Sequence, residues 1–351
     1  MRRLIYILPL ILTFLSSCNA IYDDLEECPR GVVMRFIFDH NLEFANAFPN
    51  QVDCLGVYIF DKEGSLVTHV TETSDVLADE DWRLTLDLPA GEYKAVAYGG
   101  MQCDKASFAH SRRPGEISRF EDLDAILKPE YMAGADSRPR TPLHDLFYGS
   151  VDFTVNEGTD YDRVTLPMMR DTNHVRIVLQ HIDNSPVDDK DFTFEIIDDN
   201  TMLDCRNDVV SSGVFTYLPW SQGTKTAGSM PDSPTKAGDA ADVQVAFAEL
   251  STSRLIYDSK TVWTHDDGRL YVGPRLRIRS LESGHNAVDI PLNNYLLLTK
   301  SEAFAKMPPQ EFLDRASRYS LVFFLDRDNR WVRMNIEVGP WTVRVDNIDF
   351  K

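Results

Sequence analysis

Leu84-Thr85-Leu86-Asp87-Leu88-Pro89-Ala90-Gly91-Glu92-Tyr93-Lys94-Ala95-Val96-Ala97-Tyr98-Gly99-Gly100 is the stretch that decides the fold class. Residues 84–88 alternate apolar and polar, which gives a strand one buried and one wet face. Pro89 has a fixed φ and no N–H, and Gly91 tolerates positive φ, so the chain turns between them. Residues 93–100 continue as a second run of strand-forming residues. The stretch predicts a β-hairpin.

The same pattern recurs outward in both directions. Toward the N-terminus, residues 31–39 and 52–60 are apolar and β-branched, and Asp61-Lys62-Glu63-Gly64 turns the second into residues 65–71. Toward the C-terminus, strands are expected at residues 147–155, 163–168, 174–182, 192–198, 214–218, 243–257, 270–278 and 286–298. A final set covers 319–325, 331–338 and 341–350, with a turn at Asp326-Arg327-Asp328-Asn329 and another at Asp266-Asp267-Gly268-Arg269. Helical stretches are few. Residues 117–127 place Phe120, Leu123, Ile126 and Leu127 on one side of a short helix, and residues 308–315 open on prolines tolerated in a first helical turn. Strands without alternating helices predict an all-β chain with two tandem β-sandwich domains, residues 30–170 and 171–351. Residues 221–242 (SQGTKTAGSMPDSPTKAGDAAD) carry one large apolar side chain, Met230, and are expected to form a low-complexity surface loop.

Residues 1–17 read as an export signal. Arg2 and Arg3 precede an apolar run, residues 4–15, that is shorter than the roughly 20 residues a spanning helix needs. Leu15-Ser16-Ser17-Cys18 resembles the lipobox of bacterial lipoproteins. That resemblance implies cleavage before Cys18 and a permanent lipid on it, an N-acyl chain (palmitate) and diacylglycerol. Two or more chains hold a protein stably on a membrane where one does not. An ordinary cleavage region that happens to contain a cysteine is the alternative. Residues 18–29 then form a tether whose Asp23, Asp24, Glu26 and Glu27 resemble the acidic tethers of surface-exported lipoproteins in some Gram-negative anaerobes.

Composition limits the partners. The chain has 55 acidic and 36 basic residues, a formal charge of −19, and a hydrophobic fraction of 43%. Such a chain repels phosphate backbones and anionic lipid heads, so nucleic acid is excluded as a partner and membrane attachment has to be covalent. No phosphate-binding glycine loop, nucleophile elbow or zinc-protease helix is present, and no cofactor, metal or catalytic residue is expected. Asp326-x-Asp328-Asn329 lacks the rest of a calcium loop and reads as a hairpin turn. Asp188-Asp189 and Asp198-Asp199 read as solvated turns. Tyr257, Trp263, Trp331 and Trp341 could make a sugar-stacking platform, although aromatics on alternating strands are more often core. Besides Cys18 the chain has Cys28, Cys54, Cys103 and Cys205, too few and too far apart for a disulfide scaffold. Cys54 begins one strand and Cys103 follows another, so an antiparallel arrangement would pair them; pairs with Cys28, or free thiols, are the alternatives.

Several stretches together carry a family resemblance. The strand, Pro-x-Gly turn and Tyr-led strand of residues 84–100 resemble a feature of transthyretin-like sandwiches. Ile21-Tyr22-Asp23-Asp24-Leu25-Glu26-Glu27-Cys28-Pro29-Arg30-Gly31, Glu43-Phe44-Ala45-Asn46-Ala47-Phe48 and Val52-Asp53-Cys54 resemble the fimbrillin-A-associated anchor proteins of certain Gram-negative anaerobes. Leu86-Asp87-Leu88-Pro89-Ala90-Gly91, Tyr98-Gly99-Gly100, Ile290-Pro291-Leu292, Tyr295-Leu296-Leu297-Leu298, Gln310-Glu311-Phe312-Leu313-Asp314-Arg315 and Trp341-Thr342-Val343-Arg344 continue the match in order. The resemblance implies tandem transthyretin-like sandwiches and a non-enzymatic lipoprotein of the outer membrane. It also implies a role: holding a fimbrial shaft to the cell, helping to set its length, and joining subunits by β-strand complementation. Stalk subunits of such fimbriae lose an N-terminal segment to a protease, whereas an anchor keeps it; Arg30 is the trypsin-like site in question. The rival reading is a surface glycan-binding lipoprotein, which exposed tryptophans on one face would favour.

Overall fold

The computed structural model describes residues 30–132, 140–158, 160–227, 243–258, 273–338 and 341–346. The export signal, Cys18, the acidic tether and the turn at Asp266 lie outside them. In chain order the first ten strands are β1 (Gly31–Ile37), β2 (Leu55–Asp61), β3 (Leu66–Glu72), β4 (Leu84–Asp87), β5 (Gly91–Gly99), β6 (Phe108–Ala109), β7 (Asp124–Leu127), β8 (Phe147–Val155), β9 (Tyr161–Pro167) and β10 (Met169–Arg170). The next six are β11 (Asn173–His181), β12 (Phe192–Asp198), β13 (Met202–Asp204), β14 (Phe215–Tyr217), β15 (Ser221–Ala227) and β16 (Val243–Thr252). The last five are β17 (Arg275–Ser280), β18 (Asn286–Pro291), β19 (Arg318–Leu325), β20 (Trp331–Val338) and β21 (Trp341–Asp346).

A sheet of order β4-β1-β9 packs against one of order β10-β8-β5-β2-β3. Val32, Met34 and Phe36 of β1, spaced by two, meet Val57 and Ile59 of β2 and Ala95 and Ala97 of β5 in that core. The second half repeats the plan, with β15-β16-β11-β19-β20-β21 facing β14-β12-β17-β18. In each half the first strand lies between an antiparallel and a parallel neighbour: β1 between β4 and β9, β11 between β16 and β19. The chain is all-β with two transthyretin-like sandwiches in series.

A third, small sheet of order β13-β7-β6 links the halves, because β7 belongs to the connector and β13 to the second sandwich. The connector covers the outer face of β2 and β5. Tyr58, Phe60, Val96 and Tyr98 therefore join one core with Phe108, Leu123 and the second sandwich. This is why residues 55–60 are a continuous apolar run while residues 84–88 alternate: only the former are buried on both faces.

Four expectations need correction. Residues 84–100 are not a hairpin within one sheet. β4 pairs with β1, β5 pairs with β2 and β8, and Pro89-Ala90-Gly91 carries the chain from one sheet to the other. Tyr93 fixes that corner: its hydroxyl donates to the Pro89 carbonyl at 2.9 Å, and its ring stacks on Phe153. Residues 117–127 are not a helix. They form a 3₁₀ turn, Phe120–Asp122, in which Asp122 accepts the N–H groups of Ser118 and Arg119, followed by β7. Residues 286–298 are strand only to Pro291, after which Leu292–Leu296 is helical.

Residues 221–227 are not loop. They form β15, a polar edge strand whose backbone is paired with β16. The Thr224 hydroxyl donates to the buried Asp189 carboxylate at 2.9 Å. Replacing residues 222–227 with a Gly/Ser linker should therefore lower the melting temperature by several degrees. The strand caps an edge and Asp189 would lose a hydrogen bond worth about 1.5–3 kcal/mol to a charged acceptor. Differential scanning calorimetry measures it, and an unchanged midpoint would show that β15 contributes nothing.

Candidate functional site

The first strand sets the geometry that matters for an anchored chain. β1 is the central strand of its sheet, with Gly31 paired to Asp87 on one side and Tyr161 on the other. The Leu88 N–H donates to the Arg30 carbonyl at 3.1 Å. A Cβ on Gly31 would stand 1.9 Å from the Leu86 carbonyl oxygen, so only glycine fits there. Proteolysis needs the scissile segment locally opened. Trypsin should accordingly leave Arg30–Gly31 intact in the folded chain and cut it in urea. Mass spectrometry of the fragments reads the outcome, and a native product starting at Gly31 would contradict it.

One strand edge is well exposed. Among the described residues β3 is paired along its length only with β2; beyond Leu66, whose N–H donates to Ser118, its outer edge has no partner strand. Residues 66–72 (LVTHVTE) contain neither proline nor lysine, the usual guards of an edge. Close by, a cleft of about 740 Å³ opens between the β2–β3 turn, β5, β8 and Arg206. Its wall includes Tyr93, Phe120, Tyr148 and Phe153. Lys94 pairs with Asp152 at 2.6 Å, and both Lys94 and Arg206 sit over the Phe120 ring. Burial pushes the Tyr148 hydroxyl up to about 12, and it donates to the Cys205 carbonyl, so it stays neutral. Its described lining offers aromatic faces and charged groups of both signs, which suit polar and aromatic ligands.

Between the sandwiches lies a polar junction. Asp145 accepts from His174 Nε2 at 3.0 Å and Thr172 Oγ1 at 2.8 Å, and Arg170 Nε stands 3.6 Å away. Burial alone would raise that carboxyl, but the His174 hydrogen bond and the Arg170 charge outweigh it and hold it down to about 2. His174 Nδ1 is also 3.1 Å from Ser251 Oγ. The three residues have the spacing of a Ser-His-Asp chain. However, Ser251 is buried near the end of β16, cross-paired with His174 itself, and does not line the cleft, so the group ties β11 to β16 and to Asp145 as a structural joint. Deeper in, Arg254 makes two 3.1 Å bonds to Asp314 and stands 3.9 Å from the fully buried Asp171, which also accepts from Asn207 at 2.8 Å.

The remaining sequence candidates are placed as follows. Cys54 and Cys103 are joined by a disulfide, with Cα atoms 5.8 Å apart, and Cys205 is free and buried. Trp331 is buried against Tyr295 and Phe323, Tyr257 is half-buried against the core, and the Trp263 and Trp341 side chains lie outside the described residues. Trp82 stacks on Phe36. No sugar platform is formed by the described tryptophans. Asp326 Oδ1 accepts from the Asp328 and Arg330 N–H groups, closing a hairpin turn with Asn329 at φ 59°. The two aspartate pairs are not simply solvated turns. Asp188 accepts from Lys190 in a 3₁₀ turn and Asp199 from Ser212 and Gly213 across a loop. Asp189, however, is buried on Thr224, and Asp198 ends β12, where burial pushes its carboxyl up to about 7. No helix among the described residues is long and apolar enough to cross a membrane.

Comparison with known proteins bears on the tandem fold directly. The family model for fimbrillin-A associated anchor proteins Mfa1 and Mfa2 matches residues 25–347. This chain belongs to that family. It is 36% identical over 105 residues to the minor fimbrium anchoring subunit Mfa2 of Porphyromonas gingivalis. That alignment covers 28% of this chain and 32% of the relative, so it spans about a third of that protein. A crystal structure of a candidate adhesin from Bacteroides thetaiotaomicron is 40% identical, with a TM-score of 0.79, over 92% of this chain and 100% of the other. A candidate polysaccharide-binding protein from the same organism is 27% identical with a TM-score of 0.70, over 92% and 99%. The fimbrial anchor protein Mfa2 of P. gingivalis, at 17% identity and a TM-score of 0.60 over 90% and 99%, shares the fold. These anchor-family and adhesin relatives are structural or adhesive proteins, and the setting of the family is the fimbrium.

Proposed function

We propose that this chain is the lipid-held base of a fimbrium. Cys18 carries the acyl chains, the acidic tether of residues 18–29 crosses to the cell surface from the outer membrane, and the two sandwiches receive the shaft. The family match over residues 25–347 is the observation that carries this reading. The placement of β1 supports it. A strand hydrogen-bonded on both sides keeps the tether continuous with the folded domain, as an anchor requires. The free β3 edge supplies what β-strand complementation by a shaft subunit needs, a row of backbone groups without a partner strand among the described residues. Length control follows if the anchor is a subunit that ends addition at the base.

Capture of the detergent-extracted chain from its membrane tests the reading. Fimbrial shaft subunits, running as a ladder, should co-purify with it. Capture of the intact chain without any shaft subunit would sink the proposal. A second reading, glycan binding, is favoured by the polysaccharide-binding relative together with the aromatic wall of the cleft. It predicts retention on a glycan array that Tyr93→Ala and Phe120→Ala reduce, with fimbriae still attached to cells.

A further inference from the structure

The Cys54–Cys103 disulfide does not stand alone. Cys54 immediately precedes β2, Cys103 lies in the connector just past β5, and His144 precedes β8, so three strand ends converge. His144 Nε2 and Asp53 Oδ1 are 3.0 Å apart. Cys103 Sγ is 3.4 Å from that oxygen and 3.5 Å from that nitrogen. The ligand atoms of Asp53, Cys54, Cys103 and His144 all fall within 4.8 Å of one another. Metal bonds of about 2.0–2.3 Å arranged tetrahedrally put neighbouring ligand atoms about 3.3–3.8 Å apart. The Asp53–His144, Asp53–Cys103 and His144–Cys103 contacts already approach that spacing, and Cys54 Sγ lies within 4.8 Å of each partner.

We propose that when the Cys54–Cys103 bond is reduced, Cys54, Cys103, His144 and Asp53 form a closed four-ligand zinc site. Two thiolates, an imidazole and a carboxylate are the donor set that zinc takes. The electron balance needs a thiol reductant. Two equivalents give two electrons and two protons to the disulfide and leave as their own disulfide, and zinc then displaces both cysteine protons to solvent. The bound site carries one net negative charge, which the Lys105 ammonium paired with Asp53 offsets. The His144 backbone is fixed by its N–H donating to Ser107 Oγ at 2.8 Å, which holds the imidazole in place. The same three strand ends are thus clamped covalently while the bond is intact and by metal once a thiol reductant opens it.

The test uses the detergent-solubilised full chain carrying Cys28→Ser and Cys205→Ser, reduced with a phosphine and titrated with Co²⁺ as a spectroscopic stand-in. One equivalent should give the intense visible bands of a tetrahedral site with thiolate-to-metal charge transfer, and Zn²⁺ should bleach them. His144→Ala should weaken binding at least about tenfold, Cys103→Ser should roughly halve the charge-transfer band, and Cys54→Ser with Cys103→Ser should remove it. The unreduced chain should show neither. An absent tetrahedral spectrum, an affinity unchanged by His144→Ala, equal binding by the oxidised chain, or loss of the fold on reduction would each overturn the proposal.

Discussion

Cells making the chain with Cys18→Ala are expected to shed their fimbriae into the medium while producing the subunits normally. On the proposed lipid anchor, the substitution removes the site of diacylglycerol attachment and leaves the precursor only the apolar segment of residues 4–15 as a hold. Burial of each acyl methylene contributes about 0.8 kcal/mol, so loss of two or more chains removes an effectively permanent attachment. Released fibres should also be longer than normal, because nothing ends their growth at the base. Electron microscopy of cells and supernatant separates this from the glycan-binding reading, in which fimbriae stay attached and only adhesion is lost. Normal attached fimbriae on cells whose Cys18→Ala chain is shown to lack lipid would contradict the prediction.

The largest stability effect is expected at Arg254. Its guanidinium bridges the carboxylates of Asp314 and Asp171 and donates to the Asn207 carbonyl, tying the start of the second sandwich to the loop after β13 and the Pro309–Arg315 helix. Arg254→Met would strand buried acidic groups without their cation. Breaking a buried pair from one side costs about 3–5 kcal/mol, on the order of 10 °C in melting temperature for a chain of this size. The same network sets a pH dependence. Burial pushes the Asp171 carboxyl up to about 7, and the Arg254 charge and Asn207 hydrogen bond offset that only in part. The folded state therefore binds this proton more tightly than the unfolded chain, where an aspartate titrates near about 3.9. Stability from this group is full below about pH 4 and is lost as pH rises through 7. Asp145, held down to about 2, acts oppositely and withdraws stability only as pH falls below about 4. Burial pushes the Asp198 carboxyl up to about 7 as well. The melting temperature should therefore be higher at pH 5.5 than at pH 8, Asp171→Asn should reduce that difference, and Asp171→Asn with Asp198→Asn should flatten it. A wild-type midpoint that rises between those pH values would show that Asp171 is not buried as described.

Local pattern carried much of the fold. The alternation of residues 84–88, the apolar run of residues 55–60 and the strands at 174–182 and 319–325 could be read because each has one residue type per face. Which strands share a sheet could not be read in that way. Alternation says that Leu84 and Leu86 face inward, but Pro89-Ala90-Gly91 would turn a hairpin or a sheet-crossing corner equally well. The Tyr93 bond to Pro89 decides between them. β15 escaped notice because an edge strand needs only backbone partners, and Ser-Gln-Gly-Thr-Lys-Thr has no apolar face to announce it. Residues 117–127 imitate a helix in their apolar spacing, yet Asp122 closes a 3₁₀ turn and residues 124–127 find strand partners in β6 and β13, a long-range pairing that spacing does not announce. The Arg254 network and the His144–Asp53 pair join residues 60 and 91 positions apart, and no local signal marks such partners. The family likeness reached further than pattern, because it rests on many short matches in order along the chain.

The claim that this chain is the base of a fimbrium is tested most directly by where it sits on the fibre. Fimbriae extracted whole in detergent and labelled with gold against this chain should carry label at one end only. Label along the shaft, or fibres without label beside labelled membrane fragments, would contradict the account.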